Sequence, residues 1–234
     1  MSAFEIQTFS FEQFSGKSRL FPLPNLVLFP HVMQPLHIFE PRYREMLEDA
    51  LASDRLIAVA LLSKGWESDY EGRPPVRSMA CLGRITTHIR LADGTYNVLL
   101  LGLRRARIVR ELEPRRLFRE AQLEICEDGY PPQEATRHSA LQRQIREKLI
   151  PLLPKMPEVH EQLDQLLEND VSLGMLTDVL AYTLDIGLCD KQALLEEINV
   201  YDRAERLLRH LSTLAGDHPC VTSEEKFPPL FSSN

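Results

Sequence analysis

Long apolar runs are missing from this sequence. The longest uninterrupted one, Leu56 to Leu62, falls far short of the ~20 residues that a membrane-crossing helix needs, which excludes a span. Cysteine is scarce and scattered: Cys81, Cys126, Cys189 and Cys220 form no Cys-x-x-Cys pair. Neither a zinc site nor a disulfide framework has its spacing, so reduced thiols in a cytoplasmic protein are expected. No basic stretch followed by an apolar core opens the chain, so no secretory leader is expected either. Also absent are Gly-x-Ser-x-Gly, His-Glu-x-x-His, a glycine-rich turn after a strand and a calcium loop, the marks of well-signposted hydrolases, metalloproteases, dinucleotide enzymes and calcium sensors. A non-enzyme with no cofactor and no metal is expected.

One near miss is Gly16-Lys17-Ser18, which reads like the end of a phosphate-binding loop. That loop needs an earlier glycine for close backbone approach and a helix whose first turn faces the phosphates. Phe11 stands at the glycine position, and Leu20-Phe21-Pro22-Leu23-Pro24 cannot continue as a helix.

What is present is an ordinary globular composition: 234 residues, 44% hydrophobic and 26% charged, with net charge −7. A chain of this length buries roughly 70 to 75% of its unfolded surface. The charge is uneven. Residues 1–126 hold 17 Lys+Arg against 15 Asp+Glu, and the remainder hold 10 against 19. Periodicity changes at the same place, from short alternating segments to helical stripes.

The organising stretch is Phe21 to Tyr43, where Pro22, Pro24, Pro30 and Pro35 bracket the apolar runs Leu26–Phe29 and Leu36–Phe39. Prolines fix φ and donate no hydrogen bond, so this stretch is extended, bent and buried, and it opens a sheet. Pro41 suits the first turn of a helix, and Tyr43, Met46, Leu47, Ala50 and Leu51 form its apolar face. Arg55–Leu62 reads as a strand buried on both faces. In Cys81–Leu91, Ile85, Thr87, Ile89 and Leu91 alternate with Arg84, Thr86, His88 and Arg90. Asp93-Gly94 then supplies two positive-φ positions for a tight hairpin, with Leu99 to Leu101 returning into the core. Gly102 marks a bulge or a close backbone approach, and Leu117, Ala121, Leu123 and Ile125 line one face of a last strand.

Gly129-Tyr130-Pro131-Pro132 ends the β pattern. Helix faces follow at Leu141, Ile145 and Leu149, and at Val159, Leu163, Leu166 and Leu167. Ser172 caps a third helix ending near Gly187, Asp190 caps a fourth and Asn199 a fifth running to Leu214. The expected organisation is an arm (1–18), a β-rich unit (19–128), a helical unit (129–216) and a tail (217–234). With so few crossover helices the first unit is a small, partly closed barrel rather than a parallel sheet.

Candidate functional residues are few. Trp66 and Tyr70 sit in the polar loop Ser63–Ser78, where aromatics serve as binding anchors or fold back as a local cap. Seven arginines between Arg104 and Arg119 suggest an RNA-binding hairpin as an alternative. Interleaved Glu111, Glu113 and Glu120, and the lack of a stacking aromatic pair, favour a solvated strand face instead. His31 and His37 have no nucleophile near them and read as structural. Glu124, Glu127 and Asp128 read as solvated charge.

Three blocks carry a family resemblance: LFPLPNLVLFPHVMQPLHIFEPRYREML, CLGRITTHIRLADGTYNVLLLGLRRARI, and LTDVLAYTL followed by KQALLEEINVYDRAERLLRHL. In this order they resemble the N-terminal, substrate-binding domain of Lon proteases. The resemblance implies an α+β fold, a PUA-like β pseudo-barrel with one helix followed by a helical bundle. It implies a non-catalytic module that binds unfolded or extended polypeptide, or a protein partner. No complete phosphate-binding loop is present, so a stand-alone version of that domain, without the ATPase and protease modules, is expected.

Overall fold

The computed structural model describes residues 14–152 and 171–217. The first half consists of β1 (Lys17–Leu23), β2 (Met33–Ile38), α1 (Pro41–Leu51), β3 (Leu56–Leu61), β4 (Met79–Arg90), β5 (Tyr96–Glu111) and β6 (Arg119–Cys126). The second half contributes α2 (His138–Leu149), α3 (Leu173–Thr183), α4 (Leu188–Glu196) and α5 (Val200–Asp217). The sheet order is β2-β5-β4-β3-β1-β6, and β6 also pairs with β5, which closes a barrel. β1 runs parallel to β3, while the other pairings are antiparallel. Closure depends on the length of β5: its residues 96–101 hold β2, and its residues 105–111 hold β6.

Two cores result. The barrel interior is filled by Ala58, Ala60, Ala80, Ala106 and Ala121 together with a few leucines, among them Leu20 and Leu82. So narrow a barrel leaves no room for a large side chain from every strand. The second core lies outside the barrel, where Ile57 and Val59 of β3 meet Met46 and Leu47 of α1 and Ile145, Leu173, Leu194 and Leu207 of the helical half. All six residues of β3 are therefore buried, as its uniformly apolar sequence predicts.

Leu26–Phe29 is buried but not a strand. It crosses β5 where Gly102 leaves space: a Cβ there would meet the Phe29 carbonyl oxygen at 2.0 Å. Gly102 N donates to Val32 O at 2.8 Å, and His31, at φ +66°, donates its backbone N–H to Gly102 O at 2.9 Å. Gly102 also borders a register shift against β4, so bulge and close approach occur together. β1 begins at Lys17, and Ser18 is buried, so Gly16-Lys17-Ser18 enters a strand instead of a phosphate loop.

Several local expectations are corrected. The hairpin after β4 is a three-residue loop in which only Gly94 has positive φ (+82°); Gly94 N donates to Leu91 O and Leu91 N to Thr95 O. Asp93 accepts from Thr95 N at 2.9 Å instead of taking a left-handed conformation. A bulge between Ile85 and Thr87 breaks the alternation of β4, which leaves Ile89 59% exposed. Leu99 and Leu101 are only partly buried, while Leu100 is in the core. Leu117 lies before β6 and is 69% exposed. Gly187 is the N-cap of α4, with Asp190 in its first turn. By contrast, Ser172 Oγ accepts from Met175 N at 3.1 Å and Asn199 Oδ1 accepts from Tyr201 N at 3.0 Å, capping as expected. The helix face at Val159–Leu167, nearly all of the arm, the tail beyond residue 217 and Cys220 lie outside the described residues.

Candidate functional site

The start of α1 positions the site. Pro41 occupies the first turn, and Glu40 at the N-cap makes no side-chain cap bond. Its carboxylate turns outward: Tyr70 Oη donates to Glu40 Oε1 at 2.6 Å, and Arg42 Nε donates to Oε2 at 2.9 Å. The Arg42 guanidinium lies between two rings, 4.9 Å from the Tyr43 centroid and 4.8 Å from that of Tyr70. Its Nη1 donates to the Tyr70 carbonyl at 3.2 Å. Arg42 Nη2 is 2.8 Å from Glu40 Oε2 but at an angle that makes no hydrogen bond. Burial, and then the Glu40 carboxylate, push the Tyr70 phenol above its ordinary range, so Tyr70 is a neutral donor at physiological pH.

Two depressions meet here. A cleft of about 590 Å³ runs between the start of α1, the loop after β3 and the β5–β6 turn, with Arg73, Pro74, Arg116, Leu117 and Phe118 on its far side. A smaller pocket of about 80 Å³ is lined by Pro24, Leu36, Ile38 and Phe39. Glu40, Tyr43 and Tyr70 line both, so an apolar pocket and an arginine-lined cleft adjoin at the same three residues. Phe39 is 39% exposed, and the His37 ring stacks on it at 6.0 Å.

Of the two aromatic candidates, Tyr70 lines both depressions, whereas Trp66 lines neither. Trp66 packs edge-on against Tyr70 at 5.4 Å and is half-buried. The histidines do not meet: His37 Nδ1 is 2.8 Å from Asn97 Oδ1 across the β2–β5 pair, and His31 turns the chain before β2. Burial lowers the His31 imidazole. Among the described residues no His, Cys, Asp and Glu cluster has the makings of a metal site.

The arginine-rich hairpin is not one basic face. Arg105 is buried, where Nη1 donates to Asp178 Oδ2 at 3.0 Å and Nε to the Leu195 carbonyl at 3.0 Å. Asp128, expected to be solvated, bonds Arg105 Nη1 at 3.1 Å and Arg203 Nη2 at 2.7 Å. Burial works against the charge of Arg105, but the Asp178 carboxylate outweighs it and holds the guanidinium above its ordinary range. Arg119 is also buried, taken up by Glu111 and the Pro74 carbonyl. Arg104, Arg107 and Arg116 pair with Glu127, Glu124 and Asp49 at 3.4, 3.3 and 3.2 Å.

Comparison with known proteins finds one family model, the ATP-dependent protease La (Lon) substrate-binding domain, matching residues 17–213. The chain is similar to the Lon protease of Azospirillum brasilense, 30% identical over 190 residues, covering 80% of this chain and 22% of that protein. It is 26% identical over 193 residues to Lon protease 2 of Myxococcus xanthus, covering 82% of this chain and 23% of that one. The chain thus spans under a quarter of the length of these relatives. Among solved structures, the N-terminal domain of a Mycobacterium avium complex Lon protease superposes with TM-score 0.65 at 19% identity, over 87% of this chain and all of that one. A Lon N-terminal domain protein from Xanthomonas campestris gives 0.57 at 23% identity, over 82% of this chain and 97% of that one. These structures share the α+β fold.

Proposed function

Because the chain belongs to the family of the ATP-dependent protease La (Lon) substrate-binding domain, we propose that it is a non-catalytic module that holds an unfolded or extended polypeptide segment. The matched family is a substrate-binding domain, and neither an ATPase nor a protease module is among the matches. The groove around Glu40, Tyr43 and Tyr70 carries this reading, since an apolar pocket and a polar cleft adjoin there. A bound segment places an apolar side chain against Phe39 and Leu36, and its backbone runs past Tyr70. β2 adds a second means of attachment. Only β5 pairs with it among the described strands, so its outer edge offers backbone groups to an added strand.

Trp66 and Tyr70 act as a unit in this reading. Tyr70 forms the wall, and Trp66 supports it from behind. We place the protein in the cytoplasm, on the scarcity and wide spacing of its cysteines.

Isothermal titration with a denatured model polypeptide tests the site. Trp66→Ala or Tyr70→Ala is expected to weaken binding by roughly 2 kcal/mol, as an interface anchor does, with little change in melting temperature. A lowered melting temperature with unchanged affinity would make the pair a local cap instead.

A further inference from the structure

The balance of donors and acceptors in the larger cleft says more about what it holds. Both oxygens of Glu40 are engaged, by Tyr70 and Arg42, and both oxygens of Glu111 are engaged by Arg119. Glu71, exposed on the rim, is the one lining carboxylate left over. The guanidinium groups are not used up in the same way. Arg42 is committed to Glu40 and the Tyr70 carbonyl, with its Nη2 2.8 Å from Glu40 Oε2, but two others are not. Arg116 gives one nitrogen to Asp49 at 3.2 Å and is 49% exposed, so its remaining N–H groups face solvent. Arg73 is exposed and has no ion pair or hydrogen bond among the described residues. A guanidinium carries five N–H donors and no acceptor, so the cleft has surplus donors and few free acceptors. Leu117, 69% exposed, stands beside Arg116 on the wall.

We propose that this cleft selects extended polypeptide segments in which Asp or Glu side chains adjoin a large apolar residue. The carboxylates accept from Arg73 and Arg116, and the apolar side chain covers Leu117. Bidentate guanidinium–carboxylate geometry supplies the discrimination, since an amide of the same shape brings no charge to the pair. The preference is local. The chain as a whole carries −7, so attraction to an acidic segment comes from the cleft against the field of the rest of the molecule. This selectivity rests on the polypeptide-binding reading above.

The test uses fluorescence anisotropy with three labelled peptides that share one apolar core and carry Glu, Gln or Lys at the flanking positions. The Glu peptide is expected to bind about tenfold more tightly than the Gln peptide at low salt, and the Lys peptide more weakly still. The advantage of Glu over Gln should shrink as salt rises. The double variant Arg73→Ala/Arg116→Ala changes two exposed side chains and should abolish that advantage, so that Glu and Gln peptides bind the variant equally. Equal binding of Glu and Gln peptides would overturn the charge preference and leave polypeptide binding intact. Failure of all three to bind would remove the polypeptide reading itself. Tighter binding of a labelled short single-stranded RNA than of the Glu peptide, lost in Arg73→Ala/Arg116→Ala, would reassign the cleft to phosphate.

Discussion

Arg105 carries a full charge where water does not reach, at 1% exposure, and Asp178 beside it is wholly buried. Bringing both groups out of water costs several kcal/mol each, and only the mutual bonds with Asp128, Arg203 and the Leu195 carbonyl offset that. Removing one partner is therefore far worse than removing two. Arg105→Met is expected to cost about 3 to 5 kcal/mol in urea unfolding, and Arg105→Met/Asp178→Leu to cost less than the single change. A double variant less stable than the single would mean that Asp178 is held mainly by Arg203.

Cys81 makes a different point at the same scale. Burial pushes its thiol far above the ordinary range, so the folded protein keeps it protonated and inert. Maleimide should label exposed Cys189 rapidly and Cys81 only as fast as the protein unfolds. The sign for stability follows from linkage. The unfolded thiol ionises above its ordinary value of 9.0 while the folded one does not, so this contribution is intact below that pH and declines above it.

Among elements, α3 shows how caps fix an approach angle. Ser172 Oγ accepts from Met175 N, and Tyr130 Oη accepts from Gly174 N at 3.1 Å. Two otherwise unpaired amides of the first turn are thereby satisfied by side chains from two different segments. Ser172→Ala should cost about 1 kcal/mol in thermal or urea unfolding. A cost near zero would show that Tyr130 alone holds the helix end.

The Ser172 cap was legible in the sequence because its signal is local: a short polar residue directly before a helical stripe. β3 and α1 were legible for the same reason, since a seven-residue apolar run and a regular i, i+3, i+4 stripe each admit one geometry. Ile89 and Leu117 were misplaced because their burial depends on a bulge and on a strand boundary, set by how β4 and β6 meet β5. Gly102 lay between these cases. The glycine announced a close approach, but only the fold identifies the Phe29 carbonyl as its partner. The groove was half legible: the loop holding Trp66 and Tyr70 stood out, whereas Arg42, Arg73 and Leu117 come from three separate segments. Asp178 and Arg203 left no signal, because a charged residue within a helical pattern looks like any solvated one until its partner is known.

For the whole molecule, the two halves are expected to behave as one thermodynamic unit despite the change of character near residue 129. The outer core is shared, with Phe21 and Val59 from the barrel side and Ile145 and Leu207 from the helical side. Gln192 of α4 donates to the Met79 carbonyl at 3.0 Å, and Arg77 pairs with Glu196 at 3.0 Å. Gly129 and Asn199 form a parallel bridge between the β-rich segment's end and α5's start. The Arg105–Asp178 pair crosses the same junction, so separating the halves would leave opposite charges stranded on both. Trp66, the sole tryptophan, sits on the barrel side, and its fluorescence reports that half, while far-UV dichroism is weighted toward the helices. Both signals should give one urea midpoint in the native protein. Arg203→Met, which leaves Asp128 without its 2.7 Å partner, should lower both midpoints together. Separate midpoints would mean that the shared core does not couple the halves, and that the groove's architecture depends on the barrel alone.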